Sequence, residues 1–183
     1  MTTLLVKNAS VLVTMDGQRR EIAGGGLFAR DGWIEQVGPA ADLPDNAHEV
    51  IDLDGHVVLP GFVNTHHHLY QTLTRAVPAA QDAGLFGWLT TLYPIWARMN
   101  ADHVRVSTTI GLAELALSVF TTTSVQLFLY PYGSRVDVQV EGAQSVGVRF
   151  HIDRGSMIMG VSVVGLPPDS VVVTEVEILA DTE

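Results

Sequence analysis

The sequence predicts an α/β fold in which a strand-rich stretch, residues 1–60, precedes three βα units in residues 61–183. Two observations carry this reading. Up to Pro60 the chain is a series of short apolar runs broken by turn residues, whereas after Pro60 apolar strands alternate with segments of helical period. Such alternation implies right-handed crossovers on a parallel sheet. At roughly 40 residues per unit, an eight-unit barrel would need about 320 residues, within the usual range for such folds. Two architectures therefore stay open, a complete open α/β domain or the front end of a barrel.

The first elements follow from the turn chemistry. Leu4–Val6 and Val11–Val13 read as strands closed by Met15-Asp16-Gly17. Gly26–Ala29 and Trp33–Val37 flank Asp31-Gly32, and Val50–Leu53 and Val57–Leu59 flank Asp54-Gly55, both read as hairpins of a small antiparallel sheet or half of a sandwich. Gly24-Gly25-Gly26 reads as a turn, since the Lys-Ser/Thr of a phosphate loop does not follow it.

The second half is slower in rhythm. Phe62–His66 reads as a strand, and Tyr70–Met99 as a long excursion rich in aromatics. Asn100 is a good N-cap, and Val104, Thr108, Gly111, Leu112 and Leu115 fall at the spacing of a helix that packs one face inward. Thr121–Tyr130 reads as a strand, Arg135–Val146 as a helix capped by Gly147, Val148–Asp153 as a strand, and Ser170–Asp181 as the start of another helix.

Composition narrows the function classes. Ten basic against 20 acidic residues give a net charge of −10, with Lys7 the single lysine. A nucleic-acid binder needs a basic surface, so nucleic acid is excluded as a partner. The absence of cysteine removes disulfides, thiolate zinc sites and a cysteine nucleophile. No apolar run reaches the ~18 residues of a membrane span, which argues against a membrane and for the cytoplasm. Three parallel strands with open edges imply self-association, hence a homo-oligomer.

Chemistry concentrates in His66-His67-His68, just past an apolar strand. Alternation along a strand points His66 and His68 one way and His67 the other. Two imidazoles at a strand end can hold one divalent ion in adjacent positions. The plain alternative is a polar, solvated loop. Glu114 reads as an exposed helix-face carboxylate and His151 as structural.

The run from Leu59 through Pro60-Gly61-Phe62-Val63-Asn64-Thr65 to His68 resembles the first-strand signature of the amidohydrolase superfamily. Tyr70–Arg75, Trp88-Leu89, Leu92–Arg98, Arg154–Met157 and Gly165–Pro168 resemble its 8-oxoguanine deaminase and hydroxyatrazine ethylaminohydrolase branch. The resemblance implies a metal-dependent (β/α)8 barrel, of which this chain is the N-terminal part, with a β-sandwich made from both chain ends. It also implies hydrolytic deamination of a purine or related N-heterocycle by a metal-activated water. By position, His66 and His68 match the first two ligands of one divalent ion, zinc or alternatively iron. Gln71 matches a substrate-contacting glutamine, and Trp88 is placed to wall the substrate pocket. The remaining ligands and the proton-shuttling glutamate are implied on later strands, so no catalytic residue is assigned. A chain limited to these residues would then be an inactive barrel fragment, acting if at all by self-association. Relatives of this branch carry an Asp-His pair where this chain has Val125-Gln126.

Overall fold

A computed structural model describes residues 1–181 and divides them, after Pro60, into two compact units. In the first, β1 (Thr3–Val13) is flanked on one side by β2 (Glu21–Arg30) and β3 (Trp33–Pro39), both antiparallel neighbours in turn. On its other side run β4 (Glu49–Asp52) and β5 (Val57–Val58), each parallel to β1. The sheet is therefore mixed, which corrects the antiparallel expectation.

The two Asp-Gly turns explain the difference. Asp31 and Gly32 both take positive φ, 48° and 85°, the conformation of a two-residue hairpin. At the second turn only Gly55 is left-handed, φ 79°, and the His56 amide closes onto the Leu53 carbonyl. That geometry lets the chain continue in its original direction along β1. The apolar runs of β1 join into one strand with a bulge at Asn8, φ 61°. The glycine triplet is no turn either, because β2 runs through it opposite that bulge. A Cβ on Gly26 would lie 2.3 Å from the Val6 carbonyl oxygen, so only glycine lets the strands approach this closely. Leu5, Phe28 and Leu43 form a thin core, while Trp33, Ile34 and Val57 stay exposed.

The second unit carries a parallel sheet, β6 (Phe62–Asn64), β7 (Phe120–Leu127) and β8 (Arg149–Arg154), in that order. Helices α2 (Ala101–Leu117) and α3 (Val136–Val146) follow the predicted pattern closely. The Asn100 side chain accepts the His103 amide and the His103 ring answers the Asn100 amide; Gly147 ends α3 at φ 82°. The predicted loop 70–99 instead contains α1 (Leu85–Trp96), whose Leu92, Tyr93 and Trp96 are buried. Trp88/Leu89, Leu92 and Trp96 keep the 3–4 spacing of an inward face, a signal partly obscured by Gly87 and Pro94 within the helix. The last helix, α4 (Glu175–Ala180), starts five residues later than expected. Val171 is drawn into the core, Val173 bonds the Met157 carbonyl, and the Thr174–Glu177 capping box supplies the actual start.

One core gathers Tyr70, Leu92, Trp96, Val104, Leu127 and Leu129, and a second Leu69, Leu112, Val125 and Ala143. Val125, buried to 0% exposure, lies on the helix-facing side of β7, which accounts for an apolar residue there. Gly111 of α2 sits so near the turn after the histidines that a Cβ would meet Leu69 Cδ2 at 2.6 Å.

Between α2 and β7, Val119 is left-handed at φ 63°. A β-branched side chain disfavours that region by roughly 1–2 kcal/mol, whereas glycine does not. Val119→Gly should accordingly raise the unfolding free energy by about 0.5–1 kcal/mol, after the entropy glycine adds to the unfolded chain. Urea denaturation followed by circular dichroism measures it, and a lowered midpoint would contradict this account.

Candidate metal centre

The histidine run lies just past β6 and outside the strand. The Asn64 side chain accepts the His66 amide at 3.3 Å, and this local turn ends the strand two residues short of the prediction. Pairing resumes at the next residue, where the Gln126 amide donates to the His67 carbonyl at 2.9 Å. His68 Nδ1 lies 3.0 Å from the Gln126 carbonyl oxygen. A carbonyl only accepts, so this nitrogen carries the proton and Nε2 keeps its lone pair. The rings of His66 and His68 sit edge to face with centres 4.8 Å apart. Two imidazoles that share a single ion, each at about 2.0–2.1 Å, have ring centres separated by the same order. Their donor chemistry and their spacing fit a shared divalent ion.

His67 points elsewhere. It borders a cleft of about 360 Å³ with Gly111, Glu114 and Leu115, and its Nδ1 has no hydrogen-bond partner among the described residues. Burial, then the neighbouring charges of His68 and Arg75, push its pKa below the usual value and favour the neutral ring. Glu114 is the exposed helix carboxylate expected from sequence and pairs with Arg75 at 2.9 Å.

An aromatic series runs from His68 into the core. Phe128 lies 5.1 Å from the His68 ring, Tyr70 lies 6.3 Å from it, and Tyr70 packs on Trp96 at 5.3 Å. Trp96 Nε1–H donates to Thr74 Oγ1 at 2.9 Å, which fixes the indole within the core. Trp88 is half-buried on α1 and packs edge-on against Trp96, ring centres 5.3 Å apart. Gln71 donates from Nε2 to the Tyr70 hydroxyl at 3.2 Å. Burial raises the Tyr70 pKa far above its ordinary value, so the phenol stays protonated. Of the four residues singled out from sequence, His66 and His68 are brought together. The Gln71 amide donates to the His68 carbonyl at 3.0 Å, but its side chain turns to Tyr70, and Trp88 packs on Trp96.

Sequence reading missed the Gln126 carbonyl and Phe128. Alternation along Thr121–Tyr130 already puts Ser124, Gln126 and Phe128 on one face, but nothing local says that this face meets the histidines. Among the described residues no cluster of three or more His, Asp or Glu side chains is arranged to hold a metal. The pair can supply two positions of a coordination shell, one fewer than the three protein ligands usual for catalytic zinc. No helix among the described residues is long and apolar enough to cross a membrane.

The parallel sheet backed by helices and the strand-end histidine pair define a class. The chain resembles proteins of the amidohydrolase superfamily and has the fold of the N-terminal part of that superfamily's (β/α)8 barrel. Within it, the likeness lies with the 8-oxoguanine deaminase and hydroxyatrazine ethylaminohydrolase branch. All of the chain aligns, at 41% identity, with 41% of an 8-oxoguanine deaminase from Pseudomonas aeruginosa. It likewise aligns at 31% identity with 41% of a hydroxydechloroatrazine ethylaminohydrolase from Pseudomonas sp. (strain ADP). A crystal structure of an atrazine chlorohydrolase from Arthrobacter aurescens TC1, complexed with zinc, superposes with a TM-score of 0.87 at 29% identity, over 97% of this chain and 41% of the other. The chain thus spans about two fifths of the length of these relatives. No family model matches it.

The hydrogen bond to the Gln126 carbonyl sets the tautomer of His68. Long-range ¹H–¹⁵N correlation NMR above the histidine pKa should show Nδ1 protonated and Nε2 bare. An Nε2-protonated ring would mean that this bond does not form.

Proposed function

We propose that this chain forms the first part of a metal-dependent site for hydrolytic deamination of an N-heterocycle resembling 8-oxoguanine. The observation that carries the reading is the His66–His68 pair, with His68 turned by the Gln126 carbonyl so that Nε2 is presented. A divalent ion, zinc or alternatively iron, would supply a Lewis acid and a water acidified toward a pKa of ~7. His66 and His68 would hold two of its coordination positions as neutral nitrogen donors. Phe128 and Tyr70 shield the His68 ring and fix its plane, as the supporting contacts of a ligand should. Gln71 is a candidate for contact with substrate, its carboxamide now held by Tyr70, and Trp88 packs behind it on Trp96. The name of the 41%-identical relative and the zinc in the superposable chlorohydrolase support the choice of substrate class and metal.

A second reading, that the chain by itself is inactive and self-associates, is favoured by two observations. No third ligand joins the pair among the described residues, and β6 and β8 are edges of a parallel sheet. Phe62 and Val63 of β6, and Val161, Val163 and Val164 after β8, are exposed. Parallel sheets are ordinarily protected on their edges as well as their faces.

Zinc titration tests the metal reading. Wild-type chain should bind one ion, and His66→Ala or His68→Ala should each weaken binding at least tenfold. Equal affinity in all three proteins would remove the pair from the metal site.

Ammonia release from 8-oxoguanine by the zinc-loaded chain should fall far below the ~1–1000 per second of ordinary enzymes. Turnover inside that range would show that the described residues hold a complete site. Light scattering at micromolar concentration should report dimers or larger species, and a stable monomer would eliminate self-association.

A further inference from the structure

The face of β7 and β8 that lacks helices carries three polar rungs. Parallel register pairs Thr122 with Arg149, Ser124 with His151 and Gln126 with Asp153. Each pair is joined through its side chains. Arg149 Nε donates to Thr122 Oγ1 at 3.1 Å, Ser124 Oγ and His151 Nδ1 lie 3.0 Å apart, and Gln126 Nε2 donates to Asp153 Oδ2 at 3.3 Å. The interior of a barrel is ordinarily filled by branched apolar side chains. Polar rungs on this face therefore ask for a polar occupant.

The uppermost rung differs from the others. It lies at the C-terminal end of the strands, where barrel enzymes carry their chemistry. It also adjoins the histidine pair: the Gln126 backbone carbonyl holds His68, and the Phe128 ring, two residues on, lies 5.1 Å from the His68 ring and tilted to it. Asp153 is exposed and accepts the one amide hydrogen on Oδ2. Its Oδ1 and the Gln126 Oε1 have no hydrogen-bond partner among the described residues, which leaves two acceptors and one spare amide hydrogen on this rung.

We propose that Gln126 and Asp153 are the specificity pair of this site, recognising a planar N-heterocycle through a ring N–H beside an amino or carbonyl group. This deepens the deaminase reading and rests on it. Asp153 takes the ring N–H in a charge-assisted hydrogen bond, and the Gln126 carboxamide turns its oxygen to an amino hydrogen or its free hydrogen to a carbonyl. Sites built around such donors reject analogues that lack them far more strongly than apolar pockets reject a missing methylene.

Equilibrium dialysis of the whole chain with 8-oxoguanine and with 1-methyl-8-oxoguanine tests the pair. Wild-type chain should retain 8-oxoguanine at least tenfold more strongly than the methylated compound. Asp153→Asn replaces one acceptor by a donor at almost unchanged shape, and it should weaken 8-oxoguanine binding at least tenfold while narrowing the gap between the two compounds. Gln126→Ala should weaken binding without restoring the methylated compound. Circular dichroism checks that each variant is folded. Failure of wild-type chain to retain 8-oxoguanine, equal binding by Asp153→Asn, or equal retention of both compounds by wild type would each overturn the proposal. Zinc affinity, measured separately, distinguishes this outcome from failure of the metal reading: loss of zinc from wild type with the dialysis pattern intact would leave the pair standing.

Discussion

Everything chemical in this chain depends on two backbone hydrogen-bonding groups of one residue. The Gln126 amide holds the His67 carbonyl and the Gln126 carbonyl holds the His68 ring. Regular pairing between β6 and β7 stops at Asn64, and without these bonds the histidines would be the solvated loop that their composition suggests. A backbone carbonyl is a good orienting group because the sheet fixes it and because it accepts only, so it selects one tautomer.

That anchor is in turn held by packing on the opposite face of β7. Val125 and Leu127 are fully buried against the helical layer, and Gly111 lets α2 approach Leu69 at the foot of the histidine segment. One strand thus does two jobs by alternation. Its odd-numbered side chains Thr123, Val125 and Leu127 make core, and its even-numbered side chains Ser124 and Gln126 form the open polar face. The apolar Val125 fits this division, since its side chain is buried on the helix-facing side.

The N-terminal unit shows how a single dihedral decides topology. Asp31-Gly32 and Asp54-Gly55 are the same dipeptide between apolar runs, yet one reverses the chain and the other continues it. A type I′ hairpin needs positive φ at both residues, and whether the aspartate adopts it depends on which strand is available to pair. β1 offers a free edge along its whole length, so β4 and β5 both settle there in parallel.

The sequence by itself determined a good deal: the boundary near Pro60, the parallel βα rhythm, the caps at Asn100 and Gly147, and the nearness of His66 and His68. These are local facts, set by period, by cap chemistry and by positions two apart on an extended chain. The superfamily was legible for the same reason, since its signature is one contiguous run from Leu59 to His68. Tertiary structure alone decided the rest. It set α1 within a segment whose Gly87 and Pro94 obscure its period, the parallel placement of β4 and β5, and the Gln126 carbonyl as partner of His68, 58 residues away in sequence. It also decided the joining of Gln126 to Asp153 and the turning of Gln71 toward Tyr70. Each of these depends on which surfaces meet across the sheet or the core, and neither residue of such a pair carries a local signal of the other.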